Sequence, residues 1–250
     1  MKKNLQKTAK RGQITASVIL GIFLVGIVLL ILYIKPELSR GKPEDKVILV
    51  HRAEDVKSYI GLCVKELSEE GLIEMGKHGG YVSPKDYLLA HRSNIGYAYK
   101  DGKETFQEIG VWEKELSAYI GDNLRKMCDL GRFEDLEISE SRRVKAEASF
   151  KDSVAVDVTW LVTVKKDNAT FEFKDYKADV PIRMARIYEI VNSIIKNPQQ
   201  ARLEEYMANL ENTTVNGYSH EGFQKTYVIR DYKSEIKDKD YYLFAFAIKP

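Results

Sequence analysis

Two sulfurs, four imidazoles, a histidine followed by paired glycines and two Asn-X-Thr triplets are the places where this chain could do chemistry. Cys63 and Cys128 stand 65 positions apart, which rules out a zinc knuckle read from spacing alone. In an oxidising compartment such an even pair suits a disulfide; otherwise both read as small buried hydrophobes. His51, His78, His91 and His220 are scattered, and none is paired at i, i+4 as a helical metal site would need. His78-Gly79-Gly80 offers backbone that a ligand can approach closely, and serves equally as a turn that ends a helix. Glu69 and Glu70 are adjacent, so on a helix they point about 100° apart and cannot work as a carboxylate pair. Phosphate-cradling glycine loops, a G-x-S-x-G elbow and H-E-x-x-H are all missing. No catalytic residue, metal ligand or cofactor is therefore assigned, and the chain is not read as an enzyme. Asn168-Ala169-Thr170 and Asn212-Thr213-Thr214 are acceptor triplets for N-glycosylation, candidates only if they face outward.

The elements that must carry these groups read as α+β. Val56, Tyr59, Ile60, Cys63 and Leu67 fall on one helical face between about Ala53 and Met75. Lys46–Val50 before them reads as a short strand or as the approach to that helix. Residues 81–110 read as a loop-rich stretch. Trp112, Leu116, Ile120, Leu124 and Cys128 repeat every fourth residue and predict a second helix from about Val111 to Leu130. Packing the two stripes together would let the sulfurs meet.

The second half opens as a sheet. Val144 to Phe150 alternates. Val154, Val156, Val158, Trp160, Val162 and Val164 then hold one face for six successive period-two positions, with Asp157 and Thr159 opposite. Phe171 and Phe173 have one parity and Tyr176, Ala178 and Val180 the other, which predicts a bulge near Lys174–Asp175. Those three strands are expected as an antiparallel meander. Helices over about Arg183–Lys196 and Gln199–Leu210 follow, then strands over Thr226–Arg230 and Tyr241–Ile248, the last with an aromatic face. Amphipathic helices covering an antiparallel sheet is α+β architecture.

Residues 14–34 run for twenty-one positions without a charge. At about 1.5 Å per residue such a helix covers roughly 30 Å, the thickness of a bilayer's hydrocarbon core. Before it stand Lys2, Lys3, Lys7, Lys10 and Arg11 and no acid. This asymmetry predicts a single-pass protein of the cell membrane with a cytoplasmic N-terminus and an extracytoplasmic C-terminal domain. The run is longer than the apolar core of a secretory signal and lacks a small-x-small site, so it is expected to stay as an anchor. The segments are thus 1–13, a basic cytoplasmic stretch; 14–34, the transmembrane helix; 35–45, a tether broken by Pro36, Gly41 and Pro43; and 46–250, the outer domain. Within that domain the helical part covers about 46–134 and the sheet-plus-helix part about 135–250. The first 35 residues hold six of the 39 basic groups and none of the 37 acids, so the remainder carries 33 against 37, a net of −4. Nothing in that balance tracks a phosphate backbone, and nucleic acid is not expected as a partner. The expected partners are the lipid bilayer and either an envelope protein or a second copy of the chain.

The junction before the apolar run, Lys10-Arg11-Gly12-Gln13-Ile14-Thr15, resembles the class III signal of archaeal pilins and archaellins. That resemblance implies cleavage between Gly12 and Gln13 by a prepilin peptidase, with the apolar helix retained. The pattern departs at Ser17, where many pilins carry an acid. VDVTWLVTVKK, ADVPIRMARIYEIV, YIGLCVKELSEEGL, HGGYV and the terminal YYLFAFAIK resemble an uncharacterised group of membrane-anchored proteins of small-genome archaea, which share a KRGQ-type start, one membrane helix and an outer α+β domain. The first reading is an anchored envelope protein with a binding or structural role. The alternative is a type IV pilin-like filament subunit, and an extracytoplasmic hydrolase built around His78 and Asp157 stands third.

Overall fold

The computed structural model describes Val25 and residues 43–90, 92–167, 169–196, 212–237 and 241–250. The apolar run 14–34 apart from Val25, the junction at Gly12 and Gln13, the first part of the tether (35–42), His91, Asn168 and the expected helix Gln199–Leu210 lie outside the described residues. Among the described residues no helix is long and apolar enough to cross a membrane. The chain divides into two compact units, Met1–Arg52 and Ala53–Pro250.

Helix α1 runs over Pro43–Lys77, 35 residues, and so begins earlier than the expected start near Ala53. Lys46–Val50 is helix, and the tether expected up to residue 45 gives way to helix at Pro43. A proline costs nothing at the first helical position, where its missing N–H would have no partner anyway. Ala53, Val56, Ile60, Cys63, Val64, Leu67, Leu72 and Met75 are buried along one stripe at helical spacing. The helix ends where expected. The Gly80 N–H donates to the Met75 carbonyl (2.8 Å), and Gly79 sits at φ 75°, a glycine-closed helix terminus.

The stretch expected to be loop holds three strands, β1 (Tyr87–Ala90), β2 (Ser93–Lys100) and β3 (Lys103–Glu104). Helix α2 (Ile109–Met127) follows, with Trp112, Leu116, Ile120 and Leu124 fully buried as the four-residue repeat requires. Then come β4 (Glu137–Glu140), β5 (Lys145–Phe150), β6 (Val154–Lys166), β7 (Ala169–Val180), α3 (Met184–Lys196), β8 (Thr213–Ser219), β9 (Lys225–Asp231) and β10 (Tyr242–Lys249).

The strands make two sheets. In one, β6 is central and antiparallel to all its neighbours: β7 lies on one side, while β4 and β5 follow each other along the other. The Trp160 indole N–H donates to the Ser141 carbonyl at the joint between β4 and β5 (3.1 Å). Register slips between Thr159 and Val162 opposite Asp175 and Phe173, beside the expected Lys174–Asp175, but the extra residue is in β6, where Trp160 and Leu161 face Lys174 alone. The β5 edge is closed by α2: Ser117 Oγ accepts the Ala148 N–H and Glu113 Oε1 the Phe150 N–H, both at 2.8 Å. The other sheet runs β1-β2-β10-β9-β8, with β3 also on β2. Among the described residues only β2 and β10 pair in parallel. Tyr242, Phe244, Phe246 and Ile248 give β10 the buried aromatic face predicted for it. Phe244 lies 5.1 Å from Trp112 of α2, and Tyr188 of α3 meets the same indole edge-on at 5.4 Å. The architecture is α+β with mostly antiparallel sheets.

Candidate functional site

The two helices bring Cys63 and Cys128 to disulfide distance, with Cα atoms 5.6 Å apart and both side chains buried. Cys63 stands on the buried stripe of α1. Cys128 caps α2, its N–H donating to the Leu124 carbonyl (2.8 Å). Both sulfurs arrive on apolar stripes, so the packing of those stripes is what aligns them.

Beyond Cys128 the chain must turn sharply. Asp129 Oδ1 accepts the Gly131 N–H (2.9 Å) and starts a single turn of 3-10 helix, Leu130–Arg132. The Arg132 guanidinium then lies 4.5 Å from the Tyr59 ring centroid, and Phe133 meets the same ring edge-on at 5.7 Å. This folded-back segment and β4 enclose a groove of about 620 Å³. Leu130, Phe133, Leu136 and Ile138 supply apolar wall, Cys128 lies against it, and Arg125, Lys126, Glu134 and Glu140 supply charge. Arg125 donates to Glu140 Oε1 from Nη2 (2.8 Å) and Nε (3.2 Å), which fixes one side of the rim. A lining of apolar side chains set among at least as much polar surface, with charges of both signs, suits an extended polypeptide or a small amphipathic ligand. The Cys128 sulfur stands at disulfide distance from Cys63 and is not placed as a nucleophile. Sequence reasoning missed this groove because β4 went unrecognised; the Asp129-Leu130-Gly131 turn was its one local signal.

The His78-Gly79-Gly80 turn is filled by the protein itself. A Cβ on Gly80 would stand 2.1 Å from the Trp112 ring, and φ there is 95°. The glycines admit the core indole and the neighbouring backbone rather than a ligand. His78 Nδ1 lies 3.1 Å from the Val82 carbonyl and 3.9 Å from Glu74 Oε2. Asp157 is elsewhere, paired with Lys177 (3.0 Å) on the exposed face of β6, and Thr159 lies 3.4 Å from Asp175. Glu69 reaches toward Lys65 (4.0 Å), whereas Glu70 lies beside the Tyr119 hydroxyl; burial first and that carboxylate second push the phenol up. The two glutamates therefore do diverge. Among the described residues no three His, Cys, Asp or Glu side chains gather to hold a metal.

A buried polar cluster went unforeseen. Asp231, at the end of β9, is 1% exposed and takes a two-pronged pairing from Arg183, just ahead of α3. Ser234 Oγ donates to the same carboxylate (2.5 Å), and the Lys233 N–H adds a bond (3.3 Å). Burial pushes the Asp231 carboxyl up, but the hydrogen bonds from Arg183, Ser234 and Lys233 outweigh it and hold it below the usual carboxylate range. These bonds pin the start of α3 to β9 of the second sheet.

The β8–β9 hairpin ends in a loop where Gly222 and Phe223 both take left-handed backbone, φ 67° and 61°. Phe223 is 87% exposed there, beside a groove of about 550 Å³ that His220, Gln224 and Pro250 help to line. Asn212, of the second acceptor triplet, is exposed immediately before β8. Compared with protein-family models, with curated proteins and with solved structures, the chain matches none.

Proposed function

We propose that this is a single-pass envelope protein, anchored by residues 14–34 with its α+β domain outside the cytoplasm, and that the domain binds a partner through the groove beside Cys128. The observation that carries the reading is the buried Cys63–Cys128 pair at disulfide distance, since such bonds form and persist in oxidising compartments. The uncharged run and the basic residues before it support the same topology. A groove walled by Leu130, Phe133, Leu136 and Ile138 supports binding rather than chemistry.

The test is a reporter fused after Pro250, which is exposed, together with thiol alkylation of the full chain without reductant. An extracytoplasmic reporter and two protected cysteines are expected. A cytosolic reporter with both thiols alkylated would overturn the topology. Substituting Phe133 by Glu should then abolish capture of the envelope partner from detergent-solubilised membranes while leaving the reporter outside.

A second reading, the pilin-like filament subunit cut between Gly12 and Gln13, gains from one observation. Helix α1 begins at Pro43, with eight residues between it and the apolar run, and continues for 35 residues, with a buried apolar stripe over Ala53–Met75. A long amphipathic helix following an apolar one is what that resemblance implies. The mature N-terminus separates the two: Met1 in the membrane fraction for the anchor, Gln13 in sheared surface fibres for the filament.

A further inference from the structure

We propose that Asn212 carries an N-linked saccharide that guards the edge of β8 on which no described strand pairs; this rests on the outward topology proposed above. Two independent observations converge on it. The first is placement. Asn212 is exposed and left-handed (φ 55°), a conformation asparagine adopts more readily than most residues. Its carbonyl accepts the Tyr232 N–H (2.8 Å), so the backbone is held while the residue stays exposed. Thr214 completes the acceptor triplet.

The second observation concerns edges. Among the described residues β7 and β8 are two of several strands that pair on one side only; the short β1 is another. β7 carries Glu172, Lys174, Asp175, Lys177 and Asp179, the charges that keep an edge from pairing with another chain. β8, Thr213–Ser219, has no charge in its seven residues. A bulky hydrophilic group at its head would supply the protection that its side chains do not.

The step is a glycosyl transfer from a polyprenyl-phosphate-linked saccharide, supplied at the outer membrane face by a membrane transferase. A bond forms between Asn212 Nδ2 and the anomeric carbon. The bond from that carbon to the phosphate oxygen breaks, its electron pair leaving with the lipid phosphate, and Nδ2 loses one proton. The structure also dates the event. Thr214 Oγ1 is buried in the β8 ladder and has no hydrogen-bond partner. A transferase that must reach that hydroxyl therefore acts before β8 zips onto β9.

The test uses the full chain purified from its own membranes, with peptide mapping before and after enzymatic deglycosylation. Wild type and Thr214→Ser should carry a saccharide at Asn212; Asn212→Asp and Thr214→Ala should not. Asp tolerates the left-handed backbone, and Thr214→Ala removes a hydroxyl that has no partner, so both variants should fold. Unmodified Asn212 in wild type overturns the proposal. If the thiols are bonded and the reporter is outside in that sample, the topology survives; a cytosolic reporter with free thiols sinks both. In sedimentation the two unmodified variants should form larger species than wild type. Equal sizes would overturn the guarding role.

Discussion

At the scale of single residues, a few positions have no slack. Gly80 is the tightest: a methyl there would enter the Trp112 ring and also fix a backbone conformation that side chains disfavour. Gly80→Ala should cost about 3 kcal/mol, measured as a lowered denaturant midpoint, because overpacking and strain add. Asp231 is constrained by charge instead. Asp231→Asn removes the charge of a fully buried carboxylate that the partly exposed Arg183 guanidinium pairs with, and should cost about 2 kcal/mol by the same measurement. Its titration has a definite sign. The folded-state carboxyl sits below its unfolded value, so its contribution is whole above the unfolded pKa of about 3.9 and fades as pH falls through the lower folded value. An acid-unfolding series should therefore show a component in wild type that the Asp231→Asn protein lacks.

At the scale of elements, α1 and α2 are held by two devices, interlocked apolar stripes and the sulfur pair. Replacing Cys63 and Cys128 together by Ser should lower stability by about 4 kcal/mol on the chain-entropy account, read from urea melts of the oxidised wild type against the double variant. The helices and β6 were legible because each buries one face and leaves the other wet, so period 3.6 or 2 survives in the residues. β2 was not, for a physical reason. Ile95, Gly96, Tyr97 and Ala98 are all buried, so the strand has no polar side to alternate with. β4, at Glu137–Glu140, is short and mostly exposed, and its order comes from pairing with β6 rather than from its own composition. The sulfur pair could be foreseen since both cysteines ride recognisable stripes. The Asp231 cluster could not: its partner Arg183 lies 48 positions away, with nothing local to mark either. The groove beside Cys128 was hidden for the same reason as β4, which forms its far wall.

At the scale of the whole molecule, the net −4 outside the first 35 residues and the interspersed surface pairs, such as Lys100–Asp86 and Lys177–Asp157, describe an ordinary solvated exterior. Against that exterior the uncharged edge of β8 and the exposed Phe223 stand out as surfaces the environment must manage. Deleting residues 242–250 should leave the chain unable to fold, seen as loss of cooperative melting, whereas a fusion after Pro250 should melt like wild type. The contrast follows from order in the sheet, where β10 lies between β2 and β9 although it is the last strand in the chain. Synthesis from the amino end makes β10 after every other described strand. Until β10 is in place, β2 and β9 have an empty berth between them, and the sheet stays split into two parts with its aromatic seam open.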